Sequence, residues 1–365
     1  MPKCLILAVN TRMATTVIWT PLLCPSDDDV LRQFDQNTRF CFIPDHYHTP
    51  PTGFLDQKKL VTEKYCLAER LMQERKDVIF LTTYWHERLN QYPNVHYYNG
   101  WLVHSAKRLR ARQPFDSSKD PDSVTAMIMG GKRRVNRVLA SHWLAKNYPL
   151  EQLKVHGRQT DSLEDIKNII SASPYYKKHH IKKNRYLKDY WPARNTIGDS
   201  ETDVFINHLL PNLLSKSFLA FMPDTINLEL GNYITEKTLY AMAGKSLILW
   251  LGQYQAGDLL KRMGFETFEN VFNIDHFDIT DRYGSTIMGF ENNKDIIMSH
   301  EQIKHIWHEN QKTIQHNYEI ACVNDHIDNF FKQSKSMVQE AIRFVDSTID
   351  KNYLEDITNH EIAIS

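Results

Sequence analysis

Short apolar runs separated by segments of helical repeat organise the first hundred residues. Leu5–Val9, Phe40–Ile43 and Val78–Thr83 read as strands, with polar stretches on either side. Between the last two, Tyr65, Ala68, Leu71 and Met72 recur at helical spacing. Strands alternating with helices predict an α/β layout.

A second series starts near Ser123. The run Val124–Met129 closes on Gly130-Gly131 and leads into a helix over about 134–146 and a short run at Leu153–Val155. A helix near Phe205–Leu214, a strand at Phe218–Met222, a helix over Glu236–Met242 and a strand at Leu247–Leu251 continue the alternation. It ends near residue 275, after a helix over Asp258–Met263 that Gly264 terminates. From His300 to about Thr348 the pattern is helical alone, with apolar positions at Ile303, Ile306, Trp307, Ile314, Tyr318, Met337, Val338, Ala341 and Ile342. The expected division is an N-terminal α/β domain over 1–120, a second α/β domain over 121–298, and C-terminal helices over 299–365 that pack back across them.

Composition narrows this picture without redirecting it. A chain of 365 residues, 42% apolar and 24% charged, has the makeup of an ordinary globular protein. The apolar stretch after Lys3 is too short for a signal segment, and no later run approaches the roughly 18 residues a span needs. A soluble, cytoplasmic protein is expected. Cys4, Cys24, Cys41, Cys66 and Cys322 are scattered, with no paired spacing, and read as buried apolar side chains in a reducing compartment. Net charge is zero, yet residues 101–195 hold 20 of the 44 Lys/Arg against 8 of the 44 Asp/Glu, which makes this middle stretch of the chain cationic.

The densest chemistry lies in Tyr233-Ile234-Thr235-Glu236-Lys237, between the strands at 218–222 and 247–251. Thr235 suits an N-cap, and the helix it opens starts at the carboxyl edge of a sheet, where open α/β folds bind ligands. Free amide N–H groups and a partial positive charge at that point favour a diphosphate. Lys237 adds a full charge, and Glu236 can accept hydrogen bonds from ribose hydroxyls. The bland alternative is an ordinary helix start with a solvated lysine. A second piece, Gly130-Gly131-Lys132-Arg133-Arg134-Val135-Asn136-Arg137, stands between a strand and a helix, and its arginines can clamp phosphate oxygens in pairs. A solvated basic face is the competing explanation.

Over roughly residues 124–275 this arrangement resembles the donor half of the alpha-1,3-fucosyltransferase type of glycosyltransferase, and the fucosyltransferase-like proteins of large phages and other DNA viruses. The strand, the acidic loop, the Thr-Glu-Lys helix start and an apolar strand ending in Gly252 carry the likeness. Gly264-Phe265-Glu266-Thr267-Phe268 and His316-Asn317 also look like the viral members. The resemblance implies a GT-B-like fold of two Rossmann-like domains and a nucleotide-diphosphate sugar held in the second. It assigns Arg137, then Arg133, to the diphosphate, and requires neither a metal nor another cofactor. Where the family carries Glu-Asn this chain has Pro223-Asp224, so Asp224 joins Tyr233, Thr235, Glu236 and Lys237 as a donor-side candidate and the sugar stays open.

In such a fold the catalytic base comes from a loop of the first domain. Asp45, His46 and His48, in Pro44–Pro51 after the run at 40–43, and Glu87, in Trp85-His86-Glu87 after the run at 78–83, are the candidates. Each has an ordinary polar loop role as its alternative. His46-x-His48 and His305-x-x-His308 lack a recognisable third ligand, and Asp27-Asp28-Asp29 after Pro25-Ser26 reads as a helix start.

The cationic middle interleaves bases with aromatics. Lys177, Lys178, Lys182, Lys183, Arg185 and Tyr186, continued by Lys188, Tyr190, Trp191 and Arg194, suit a nucleic-acid backbone with stacked or flipped bases. A solvated loop or an aromatic sugar-binding wall is the other reading. The expectation is an enzyme that moves a sugar onto the hydroxyl of a modified base, 5-hydroxymethylcytosine, in phage DNA, within the host cytoplasm. The alternatives are a glycan or lipopolysaccharide glycosyltransferase, and a non-catalytic DNA-binding protein on a transferase fold.

Overall fold

The structure, a computed structural model, describes residues 5–10, 15–19, 36–43, 71–82, 85, 89–112, 124–130, 140, 143–144, 147, 153–157, 214–223, 234–251, 256–278 and 282–344. In chain order the strands are β1 (Leu5–Asn10), β2 (Thr15–Trp19), β3 (Thr38–Ile43), β4 (Ile79–Thr82), β5 (Val95–Tyr97), β6 (Val124–Gly130), β7 (Leu153–Gly157), β8 (Ser217–Pro223) and β9 (Leu247–Leu251). The helices are α1 (Gly100–Ala111), α2 (Glu236–Ala243), α3 (Ala256–Arg262), α4 (Arg282–Glu291), α5 (Lys294–Ile297), α6 (His300–Glu309), α7 (Gln311–Cys322), α8 (His326–Phe330) and α9 (Lys332–Phe344). The protein is a mixed α/β fold with small, mainly parallel sheets and many helices, as the alternating pattern predicts.

Two compact units are present. One comprises Met1–His104, Leu228–Tyr233 and Asp328–Ser365, the other Ser105–Asn227 and Ile234–Ile327.

The first unit holds a five-stranded sheet in the order β1-β2-β3-β4-β5. Only the β1–β2 pair is antiparallel; the rest are parallel. An antiparallel edge on an otherwise parallel sheet is a common variation, and it departs from a wholly parallel Rossmann order. At the carboxyl end Ile43 of β3 stands beside Thr82 of β4, so the chain leaves both strands at the same sheet edge. The helical C-terminus partly returns here: α9 packs on β1 and β2, with Val338 and Ala341 buried.

The second unit holds a parallel sheet in the order β7-β6-β8-β9. Every residue of β8 and of β9 is buried, the expected state of parallel strands covered on both faces. Alternation of side chains sends Phe218 to one face, where it meets Trp307 of α6 at 5.5 Å between ring centroids, edge to face. Phe221 goes to the other, against Phe290 of α4 at 5.2 Å, and Trp143 stacks on the same Phe290 at 4.5 Å. No helix among the described residues is long and apolar enough to cross a membrane.

Gly264 closes α3 as expected from sequence: its φ is +83°, and Phe265 N–H donates to Leu260 O at 2.9 Å. The end of α2 reaches the same hydrogen-bond pattern differently. Ser246 N–H donates to Ala241 O at 3.1 Å and Lys245 N–H to Met242 O at 2.9 Å, but the left-handed residue is Lys245, φ +53°, while Gly244 is right-handed at φ −75°. Gly244 is needed for space instead, because a Cβ there would lie 2.7 Å from Leu214 Cβ and 2.8 Å from its carbonyl carbon.

His276 is wholly buried and its Nε2 lies 2.7 Å from Trp250 O, so Nε2 carries the proton and donates. Burial holds its pKa below the ordinary 6.5, outweighing the hydrogen bonds to backbone and the Asp275 charge, which act the other way. An unfolded chain therefore takes up this proton first as pH falls below about 6.5, and the fold loses stability over that range. His276→Gln, which keeps a donor for Trp250, is expected to flatten the acid side of the stability profile in urea titrations between about pH 7.5 and 5. An unchanged slope would remove His276 from the account.

Candidate functional site

The β6–β8 pair is where the second sheet changes direction. From β6 the chain passes to β7 on one side, then crosses back to β8 on the other and moves outward through α2 to β9. Connections that diverge from adjacent parallel strands leave a crevice outside their carboxyl ends, the usual ligand position in open α/β sheets. The basic sequence Gly131-Lys132-Arg133 follows directly on β6, and Asp224 directly on β8. The helix that completes the β8–β9 crossover is α2, which begins with Glu236-Lys237.

At the start of α2, Thr235 occupies the N-cap with extended backbone, φ −92° and ψ 164°, but its side chain makes no capping hydrogen bond. Its carbonyl accepts from Thr238 N–H at 3.1 Å. The expected N-cap position is thus correct, and the Thr235 carbonyl, not its hydroxyl, takes the first-turn N–H of Thr238. Trp250 Nε1 reaches Thr238 Oγ1 at 3.4 Å and ties the first turn to β9.

Glu236 and Lys237 are ion-paired with each other. Their side chains keep only 12% and 13% of their surface exposed, so neither is a freely solvated helix-start charge. Holding two charges so far out of water is costly unless their remaining hydrogen-bonding capacity is used. One carboxylate oxygen leaves two of the three ammonium protons of Lys237 for other acceptors.

Tyr240, one turn on from Glu236 and on the same face of α2, is buried. Burial pushes its phenol well above the ordinary range and the Glu236 charge raises it further; the Ser105 hydroxyl and the charges of Arg108 and Arg112 act in the opposite direction. These α1 residues were missed by sequence reading because α1 was hidden in the basic stretch. Its signal was present: Asn99 Oδ1 accepts from Leu102 N–H at 3.0 Å as an N-cap, and Leu102, Val103, Ala106 and Leu109 form the buried stripe.

The two motifs Gly264–Phe268 and His316-Asn317 meet directly. His316 Nε2 lies 2.8 Å from Gly264 O. Glu266 N–H donates to Asn317 Oδ1, and Asn317 Nδ2 donates to Glu266 O, both at 2.9 Å. Thr313 hydroxyl adds a bond to Glu266 Oε2 at 2.6 Å. These contacts fasten α7, which packs on α2, so the motif holds the helix behind the candidate site.

Of the residues expected to act, Thr235, Glu236 and Lys237 are described and adjacent. Asp45, His46, His48, Glu87, Arg133, Arg137, Asp224, Tyr233, Lys177, Lys178, Lys182, Lys183, Arg185 and Tyr186 lie outside the described residues. The two rival base loops do, however, follow neighbouring strands, β3 and β4, at one edge. Among the described residues no three His, Cys, Asp or Glu side chains gather as a metal site. His305 lies exposed, 3.3 Å from Glu309 in the next turn. Cys41 and Cys322 are buried free thiols, and burial raises the pKa of both. No protein-family model matches the chain, and no curated protein matches its sequence.

Proposed function

We propose that the protein is a metal-independent glycosyltransferase of GT-B-like, fucosyltransferase-like type, which transfers a sugar from a nucleotide-diphosphate donor to a hydroxymethylated pyrimidine in DNA. The observation that carries this reading is the change of direction between β6 and β8, with the Glu236-Lys237 start of α2 completing the crossover and basic sequence following β6. A carboxylate or histidine of the loops after β3 and β4 takes the acceptor proton. The acceptor oxygen then bonds to the anomeric carbon, and the bond from that carbon to the diphosphate oxygen breaks. Negative charge gathers on the departing diphosphate, which Lys237, the α2 amides and the arginines of the 131–137 segment stabilise.

The DNA acceptor is drawn from the basic and aromatic sequence over 175–194. The test incubates the protein with a panel of nucleotide sugars and hydroxymethylated duplex DNA, followed by digestion and weighing of the nucleosides. A hexose or deoxyhexose increment on the modified base, together with DNA binding that weakens steeply with salt, is the expected result. Transfer to a glycan or lipopolysaccharide acceptor alone would redirect the substrate. Salt-dependent DNA binding with no nucleotide binding would leave a non-catalytic DNA-binding protein.

A further inference from the structure

We infer that Trp250 is a positioning residue for the donor diphosphate, which holds the first turn of α2 in the direction the ligand meets; the inference rests on the donor-site reading above. Trp250 is the penultimate residue of β9 and is buried, paired in register with Met222 near the carboxyl end of β8. Its indole Nε1–H donates to Thr238 Oγ1 at 3.4 Å. Thr238 directly follows Lys237 and is itself buried. The bond therefore draws the opening turn of α2, with the Glu236-Lys237 pair, against the carboxyl end of β9.

This turn lacks the usual local clamp, because the Thr235 side chain makes no capping hydrogen bond. A helix of eight residues, little more than two turns, takes its stability from packing, and its ends loosen first. A loose end turn spreads the Lys237 ammonium and amide over many directions, whereas a fixed one presents them ready for two linked phosphates. The indole is a firm anchor because its backbone is gripped as well. Trp250 O accepts from His276 Nε2 at 2.7 Å, which ties the edge strand β9 to the segment before α4. Ser285 hydroxyl of α4 donates in turn to His276 O at 2.7 Å. A Cβ on Gly289 would lie 3.1 Å from His276 Cδ2 and 2.8 Å from Leu251 Cδ2, so α4 rests directly on the imidazole and on the last residue of β9.

Calorimetric titration of the full chain with UDP and GDP tests the inference. Trp250→Phe keeps most of the ring and loses the N–H, and Thr238→Val keeps the shape and loses the acceptor. Each is expected to weaken binding of the preferred diphosphate about threefold to tenfold, the worth of one neutral hydrogen bond. The double variant is expected to lose no more than either alone, since both remove the same bond, and Thr238→Ser, which keeps the hydroxyl, to bind like the original. Ser246→Ala is the control: it removes bonds to Leu214 O and Ser217 O at the opposite end of α2, and is expected to lower the melting temperature while leaving the affinity of the folded protein unchanged. If Trp250→Phe and Thr238→Val behave like that control, or if their effects on affinity simply add, while Lys237→Gln still weakens diphosphate binding, the inference fails with the site reading intact. If the unaltered protein binds neither UDP nor GDP, the reading of the site itself falls and the inference falls with it.

Discussion

Lys237→Gln is expected to weaken nucleoside-diphosphate binding by about 10- to 100-fold while the protein stays folded, because a hydrogen bond to a charged partner is worth about 1.5–3 kcal/mol. Glutamine keeps most of the length and packing of the side chain and removes only the charge. Loss of the ammonium leaves Glu236 without that ion pair at a helix start, where the positive end of the dipole still favours a carboxylate. The fold loses part of its stability, because a nearly buried carboxylate gives up its ion pair and the helix dipole offsets only some of that, and the ligand loses a full counter-charge. Calorimetric titration with UDP and GDP gives the affinity, and far-ultraviolet circular dichroism checks the fold. A Lys237→Gln protein that binds diphosphate as tightly as the original would mean that the lysine serves Glu236 alone. The α2 start would then be an ordinary helix beginning.

The second large effect is on stability. Gly244→Ala is expected to cost about 1–3 kcal/mol, the range for forcing extra carbon into a packed core. The added Cβ would meet Leu214 Cβ at 2.7 Å, its carbonyl carbon at 2.8 Å and its oxygen at 2.9 Å. Two of these are backbone atoms of the turn that leads into β8, which cannot swing aside as a side-chain tip can. Ser246 hydroxyl is bonded to Leu214 O at 3.2 Å and Ser217 O at 2.7 Å, so the same turn is held from a second direction. Lys245→Gly is the informative partner. It relieves a left-handed backbone at a lysine but gives up the ammonium 4.5 Å from the Tyr318 ring centroid. These opposing terms leave a net change within about 1 kcal/mol. Urea denaturation of both variants decides the matter. If Gly244→Ala is neutral and Lys245→Gly strongly stabilising, the glycine serves backbone freedom rather than close approach.

The position of Glu236-Lys237 was legible because three local signals coincide. The apolar runs that became β8 and β9 are buried on both faces, so their composition alone marks them. Thr235 has the residue type of an N-cap, and Gly264 supplies the positive φ that ends the next helix. β5 was less legible: it is three residues long and half-buried, with too little apolar surface to form a pattern. α1 escaped because its cations merged with the basic stretch, and α4 because nothing in Arg282–Glu291 resembles a usual helix start. β2, Thr15–Trp19, is absent from the pattern of apolar runs, although its first four residues are all β-branched and carry that signal.

Sequence by itself determined the alternation of strands and helices, the extent of α2 and the residues that open it, because these follow from hydrophobic period and backbone preference within a few neighbours. Only the tertiary structure decided that β6 and β8 are adjacent at the change of direction, that Asn317 fastens α7, which packs on α2, to the segment at Glu266, and that Arg110 turns to Asn324 and Asp325 just beyond α7. Those outcomes depend on which distant segments share a face, and burial rewards such pairings only once both partners are in place. A local pattern carries no record of its partner, which is why the start of α2 could be located from five residues and its surroundings could not.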